Sequence, residues 1–210
     1  MTNNITPILD FIVLDSEQAP VLDEQGFPTL KQAPITKPIA DLIEKGKVEN
    51  IEIFAQLTSD GEQYEWASEY LDYLKLVAWV EKQNANLPDV ADEDGIVTPP
   101  EPLDLPMEPI RPEVRTVEQV LEPFSKAISK LKGIEFKGVN IALTETNQNG
   151  LSALKSALEM AKEFEVDDQL FPIRFNAETC GGVEVVELLD ETEFKQFGIN
   201  FIMARKAFFE

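Results

Sequence analysis

The chain contains no histidine. That removes the usual general base, the histidine-dependent catalytic triads and imidazole metal sites. Its single cysteine, Cys180, excludes an internal disulfide framework and any multi-cysteine metal site. With no histidine to activate it, Cys180 is not read as a nucleophile. Neither a GxGxxG nor a GxxxxGK(S/T) phosphate loop occurs. Long apolar runs are missing as well: the longest, Leu76 to Val80, is far below the roughly 20 residues of a membrane span. Met1 to Asn4 lacks a basic start, and the apolar run Ile8 to Leu14 contains Asp10, so no signal peptide is expected. Basic residues are scarce, 18 Lys and Arg against 39 Asp and Glu, for a net charge of -21. Binding to nucleic-acid phosphate needs clustered Lys and Arg, so neither nucleic acid nor an anionic membrane is an expected partner.

What is present is a chain of 210 residues with an apolar fraction of 43%, enough for one large domain or two small ones with real cores. Residues 1–115 hold 23 acidic and 8 basic side chains, a net of -15, and residues 116–210 hold 16 and 10, a net of -6. Such a field steers the protein toward a basic partner.

The clearest local signals lie between Gly133 and Glu210. A hairpin is expected where Gly133–Phe136 and Val139–Leu143 meet at Lys137-Gly138. A polar segment, Glu145 to Gly150, precedes a helix whose Leu151, Leu154, Leu158, Ala161 and Phe164 form one stripe. A second hairpin, Ile173–Phe175 with Val183–Leu189, turns through Gly181-Gly182. Asp190 and Glu193 then cap a helix with Phe194, Phe197, Phe201, Ala204 and Phe208 on one face.

Upstream, residues 8–14 read as a strand, 23–26 as a turn and 27–32 as a returning strand. Pro38 opens and Gly46 closes a short helix over 39–45. Val48 to Leu57 is a strand candidate and Ser59-Asp-Gly61 a turn. From Tyr64 a helix places Trp66, Tyr70, Tyr73, Leu74, Val77 and Val80 on one face, with Trp79 off the stripe. Between Gln83 and Glu113 lie 7 of the chain's 14 prolines, a density that excludes helix and central strand. The segment reads as an inter-domain linker or as an arm laid along a partner. Its apolar residues Leu103, Leu105, Met107 and Ile110 favour the arm and are the partner-binding candidates, since a solvated spacer has no need of them.

Thr116 starts an amphipathic stretch with Val117, Leu121, Phe124, Ile128 and Leu131 in heptad spacing. Pro123 interrupts it, and two heptads are too short for a coiled coil, so it is expected to pack on the C-terminal unit. Asp92, Asp94, Gly95 and Glu101 match four positions of a helix–loop–helix calcium loop. Val90 stands at the first ligand position and prolines forbid the exit helix, so an acidic solvated stretch is the better reading. No catalytic, metal or cofactor residue is assigned.

The order of parts in the last third resembles the small C-terminal domain of unknown function on bacteriophage tail and tail-fibre-associated proteins. The likeness rests on the strand Val139-Asn-Ile-Ala-Leu143, the Thr-acid-x-Asn segment (Thr144, Glu145, Asn147), and the Ala- and Leu-rich helix. A hairpin and a final helix ending Ala204-Arg-Lys-Ala-Phe-Phe209 complete it. The resemblance implies a virion or assembly role, with other phage tail proteins as partners, location in the virion after synthesis in the host cytoplasm, and no catalytic residues. The expectation is therefore an α+β protein of two small units, 1–82 and 114–210, joined by a proline-rich extended linker, 83–113. It is expected to be a non-enzymatic tail, baseplate or tail-fibre accessory protein, compatible with homo-oligomerisation and without cofactors. The alternative is an acidic nucleic-acid mimic that inhibits a host enzyme.

Overall fold

A computed structural model describes residues 4–88, 90–91, 97–98 and 100–208. Its helices, in chain order, are α1 (Ile39–Glu44), α2 (Ile51–Ala85), α3 (Val117–Leu121), α4 (Ser125–Lys132), α5 (Glu145–Glu163) and α6 (Glu191–Lys206). The strands are β1 (Val90–Ala91) and β2 (Val97–Thr98), which pair with each other, then β3 (Ile134–Phe136), β4 (Val139–Ile141), β5 (Ile173–Thr179) and β6 (Gly182–Leu188). The mixture is α+β, with β3 to β6 forming one antiparallel sheet in sequence order.

The compact units divide the chain differently from the expected boundaries at 82 and 114. One holds Met1–Thr36 with Ser59–Arg115, the other Lys37–Thr58 with Thr116–Glu210. The reason lies in α2, which runs unbroken through the expected turn at 59–61. The expected strand over 48–57 is helical from Ile51, because Ile51 and Ala55, four apart, are both fully buried on one side. Hydroxyls that favour a turn are engaged elsewhere: Thr58 Oγ1 donates to the Phe54 carbonyl (2.8 Å) and Ser59 Oγ to that of Arg115 (2.7 Å). Gly61 sits inside the helix close against Thr36, where a Cβ would come 2.9 Å from Thr36 Cγ2 and push that side chain aside.

In the first unit the expected strand over 8–14 is instead a 3-10 turn, Thr6–Phe11, with Pro7 in its first turn, followed by isolated bridges. Val13 N–H donates to Thr29, Thr29 to Val21 and Val21 back to Val13, all at 2.8–2.9 Å. These three residues stand eight apart, and the sequence Val-Leu-Asp-x-x-x-x-Pro occurs at both 13–20 and 21–28. In each copy the aspartate accepts two backbone N–H groups: Asp15 from Glu17 and Ala19, Asp23 from Gln25 and Phe27. The matching residues Gln18 and Gly26 both take positive φ. A cyclic arrangement of single bonds forms here in place of a two-stranded ladder, because each repeat turns after two residues. Ile8 and Ile12 from this region bury against Trp66, Ala67, Tyr70, Leu71 and Leu74 of α2.

In the second unit Phe194, Phe197 and Phe201 of α6 and Leu151 and Leu158 of α5 cover the sheet through Ile141, Phe175, Ala177, Val186 and Leu188. A separate cluster joins α1 and the start of α2 to Val120 and Ile128, so the Pro123-interrupted stretch packs within this unit. Thr116 and Gln119 make a reciprocal capping box on α3. The helix expected from Leu151 begins at Glu145: Thr144 caps it by accepting from Asn147 N–H, and the polar residues 145–150 form its first turns. Gly150 lets α5 approach the sheet, as a Cβ there would lie 2.7 Å from the Phe175 ring.

The start of α6 holds a titratable contact. Glu193 accepts from Leu189 N–H and pairs with Lys137, and these contacts, the backbone bond foremost, hold its carboxyl below the ordinary range. A lowered folded pKa contributes stability that is present above the ordinary carboxylate range and lost as pH falls through the folded value. The melting-temperature advantage of the wild type over Glu193→Gln is therefore expected to hold from pH 7 to pH 5 and to shrink below about pH 4. A difference independent of pH would show that the carboxylate charge is not what matters there.

Candidate functional site

Residues 100–113 of the stretch expected to be an inter-unit linker or an arm on a partner (83–113), together with Val114 and Arg115, lie along α2 of the same chain. A proline-rich segment has few N–H groups to pair but many carbonyls that need donors. Helix α2 supplies those donors from side chains. Asn84 makes a two-way amide pair with Leu103, donating to its carbonyl (2.9 Å) and accepting its N–H (2.7 Å). Trp66 Nε1–H donates to the Pro109 carbonyl (3.2 Å), Gln63 Nε2 to that of Pro112 (3.0 Å) and Ser59 Oγ to that of Arg115. Arg111 donates to Gln63 Oε1 and places its guanidinium 4.9 Å from the Trp66 ring centroid and 5.8 Å from that of Phe11. Arg115 pairs with Glu62.

These anchors run antiparallel to the helix, and their spacing fixes the conformation of the segment. The 25 helical steps from Ser59 to Asn84 cover about 38 Å at about 1.5 Å each. The 12 steps from Leu103 to Arg115 cover about 37 Å at the polyproline rise of about 3.1 Å. End to end, the anchors thus match an extended, polyproline-like segment laid along the helix as a strap.

The strap's backbone faces the helix and most of its large apolar side chains face solvent. Met107 is 91% exposed and Ile110 90%, while Leu105 and Leu103 are exposed to a lesser degree. Pro109 and Ile110, with Pro7, Trp66, Glu108 and Arg111, border an open pocket of about 440 Å³. Beneath it the Tyr70 phenol is pushed up from its ordinary pKa, first by burial and then by neighbouring Glu108, so it stays a neutral hydrogen-bond donor. The four partner-binding candidates thus share one displayed segment. The sequence did not reveal their anchors, because Ser59, Gln63 and Asn84 look like ordinary polar helix residues. The one available signal is their place on the same 3-4 spaced line as Trp66 and Tyr70.

Because Asn84 holds the strap's first described turn with two bonds worth about 1 kcal/mol each, Asn84→Ala should loosen that end alone. Thermolysin, which cuts before bulky apolar residues not followed by proline, is expected to cleave before Leu103 at least about tenfold faster in this variant, with the melting temperature little changed. Equal rates in both proteins would mean that the strap is not held there.

Asp92, Asp94 and Gly95 of the calcium-loop spacing lie outside the described residues. Among the described residues no group of three or more Asp, Glu or Cys could hold a metal, and no helix is long and apolar enough to cross a membrane. Cys180, half-buried in the turn between β5 and β6, packs against the cluster around α1. Compared with known proteins, the chain matches no family model, no curated protein and no solved structure.

Proposed function

We propose that the protein is a non-enzymatic bacteriophage tail, baseplate or tail-fibre accessory protein that binds other virion proteins through the strap. The observation that carries the reading is the strap itself. Its backbone is already immobilised, so docking Leu105, Met107 and Ile110 into a partner costs little further ordering. Exposed, pre-positioned apolar side chains on an acidic protein are suited to a specific contact and leave the charge to keep wrong partners away. The tail-protein assignment rests on the order of parts in the last third. In the fold, the Thr144–Asn147 segment that carries the resemblance is the N-cap and first turn of α5.

The test is quantitative mass spectrometry of particles and assembly intermediates purified from the source. The reading expects the chain in fixed copy number in one or both. Its absence from both, together with recovery on a host nucleic-acid enzyme, would favour the acidic mimic.

A further inference from the structure

Helices α5 and α6 leave a groove between them, about 410 Å³ in volume, on the face away from the sheet. Leu151, Leu158, Phe194 and Phe201 form its floor, and Ile199 and Ile202, 59% and 66% exposed, its wall. The groove stays open partly because residue 198 is glycine: a Cβ there would meet nothing within 4 Å. Its rim carries Lys155, Lys162 and Lys195 against Glu159 and Glu191. Lys162 and Lys195 share the single Glu191 carboxylate, which leaves one positive charge in excess and ammonium donors unspent. In a chain of net charge -21, an apolar groove with a cationic rim calls for an apolar segment studded with acid.

We infer that this groove receives the strap of a second copy of the chain, so that copies associate head to tail. The strap has the required composition: Leu103, Leu105, Met107 and Ile110 alternate with Asp104 and Glu108, and Glu101 precedes them. The lengths agree. The α5 side of the groove runs from Gln148 to Lys162, about 21 Å of helix. From Leu103 to Ile110 the extended strap covers about 22 Å. Because strap and groove are different surfaces, the contact is heterologous: each docked pair still offers one free strap and one free groove, and growth continues until a ring closes or a filament forms. The inference rests on the strap being the contact surface of the proposed function and names another copy as one of its partners.

Two full-length variants test it. Gly198→Leu fills the groove, and since leucine is the better helix former its melting temperature should stay level or rise. Met107→Asp with Ile110→Asp spoils the strap at positions too exposed to disturb folding. Sedimentation velocity over rising concentration should show the wild type growing past the dimer, and each variant alone monomeric. An equal mixture of the two should form a 1:1 complex and stop, because one intact strap and one intact groove remain. A wild type that stays monomeric overturns the inference while leaving capture of another virion protein by the strap untouched. Variants that fail singly and also fail when mixed overturn it, because a strap-in-groove contact must be restored by complementation. A strap variant that assembles like the wild type overturns it in favour of a groove-to-groove contact. A Gly198→Leu protein that assembles like the wild type removes the groove from the account.

Discussion

Replacing Phe197 by alanine is expected to lower the unfolding free energy of the second unit by about 3–5 kcal/mol. The ring is fully buried, and three others surround it: Phe136 at 5.0 Å between centroids, Phe175 at 5.4 Å and Phe201 at 6.2 Å. It therefore joins β3, β5 and α6 at one point, and alanine would leave a cavity that the rigid sheet cannot collapse into. Urea titration followed by fluorescence and circular dichroism would give the change, and Phe201→Ala should behave alike. An unchanged midpoint for both would place this face in solvent.

Asn147→Ala should cost about 3 kcal/mol or more, by a different mechanism. Its side-chain amide is buried and donates to the carbonyls of Ala142 (2.8 Å) and Glu178 (2.9 Å), while its oxygen accepts Glu178 N–H (2.8 Å). Strands β4 and β5 share only the Ile141–Thr179 register, so this amide extends their pairing where the ladder stops. Truncation leaves the Ala142 carbonyl and the Glu178 N–H without this partner, at roughly 1–3 kcal/mol each before relaxation, and leaves the Glu178 carbonyl with its bond from Ala142 N–H (2.9 Å) alone. Asn147→Asp should be at least as harmful at pH 7 despite equal size, because a carboxylate would face two carbonyls in place of donating to them. Burial and those carbonyls raise its folded pKa above the unfolded value, so the variant should regain stability as pH falls through that raised value. An Asp variant as stable as the wild type at pH 7 would mean the amide is not a donor there.

The second unit was the legible part of the sequence because its signals are local. The Lys137-Gly138 turn, the Asp190 cap and the phenylalanine spacing each sit within a few residues of the structure they specify. Even there the start of α5 reads at Leu151, six residues late, since Glu145–Gly150 is polar and only the cap bond from Asn147 N–H to Thr144 shows that the helix has begun. In the first unit the deciding interactions join distant positions. Ser59 and Gly61 look like a turn until Arg115 and Thr36 are brought beside them. The eight-residue repeat Val-Leu-Asp-x-x-x-x-Pro at 13–28 stands in the sequence but reads there only as strands and a turn, and its cyclic bonding depends on Thr29 returning to Val13. For the strap, proline density correctly excluded regular structure; what it could not convey was that Asn84, Trp66 and Gln63 supply the missing donors.

The central claim is that the displayed apolar side chains of the strap, and not the acidic field, make the partner contact. The most direct measurement is binding of a partner captured by the wild-type protein to two full-length variants at low and high salt. One carries Leu105→Ser with Met107→Ser, the other Glu101→Gln with Asp104→Asn. The account predicts that the serine pair abolishes binding at both salt concentrations, while the neutralised pair binds within a few-fold of the wild type and the wild type loses little affinity in high salt. Binding that survives the serine pair but collapses on neutralisation or in high salt would contradict it and make charge the recognition element.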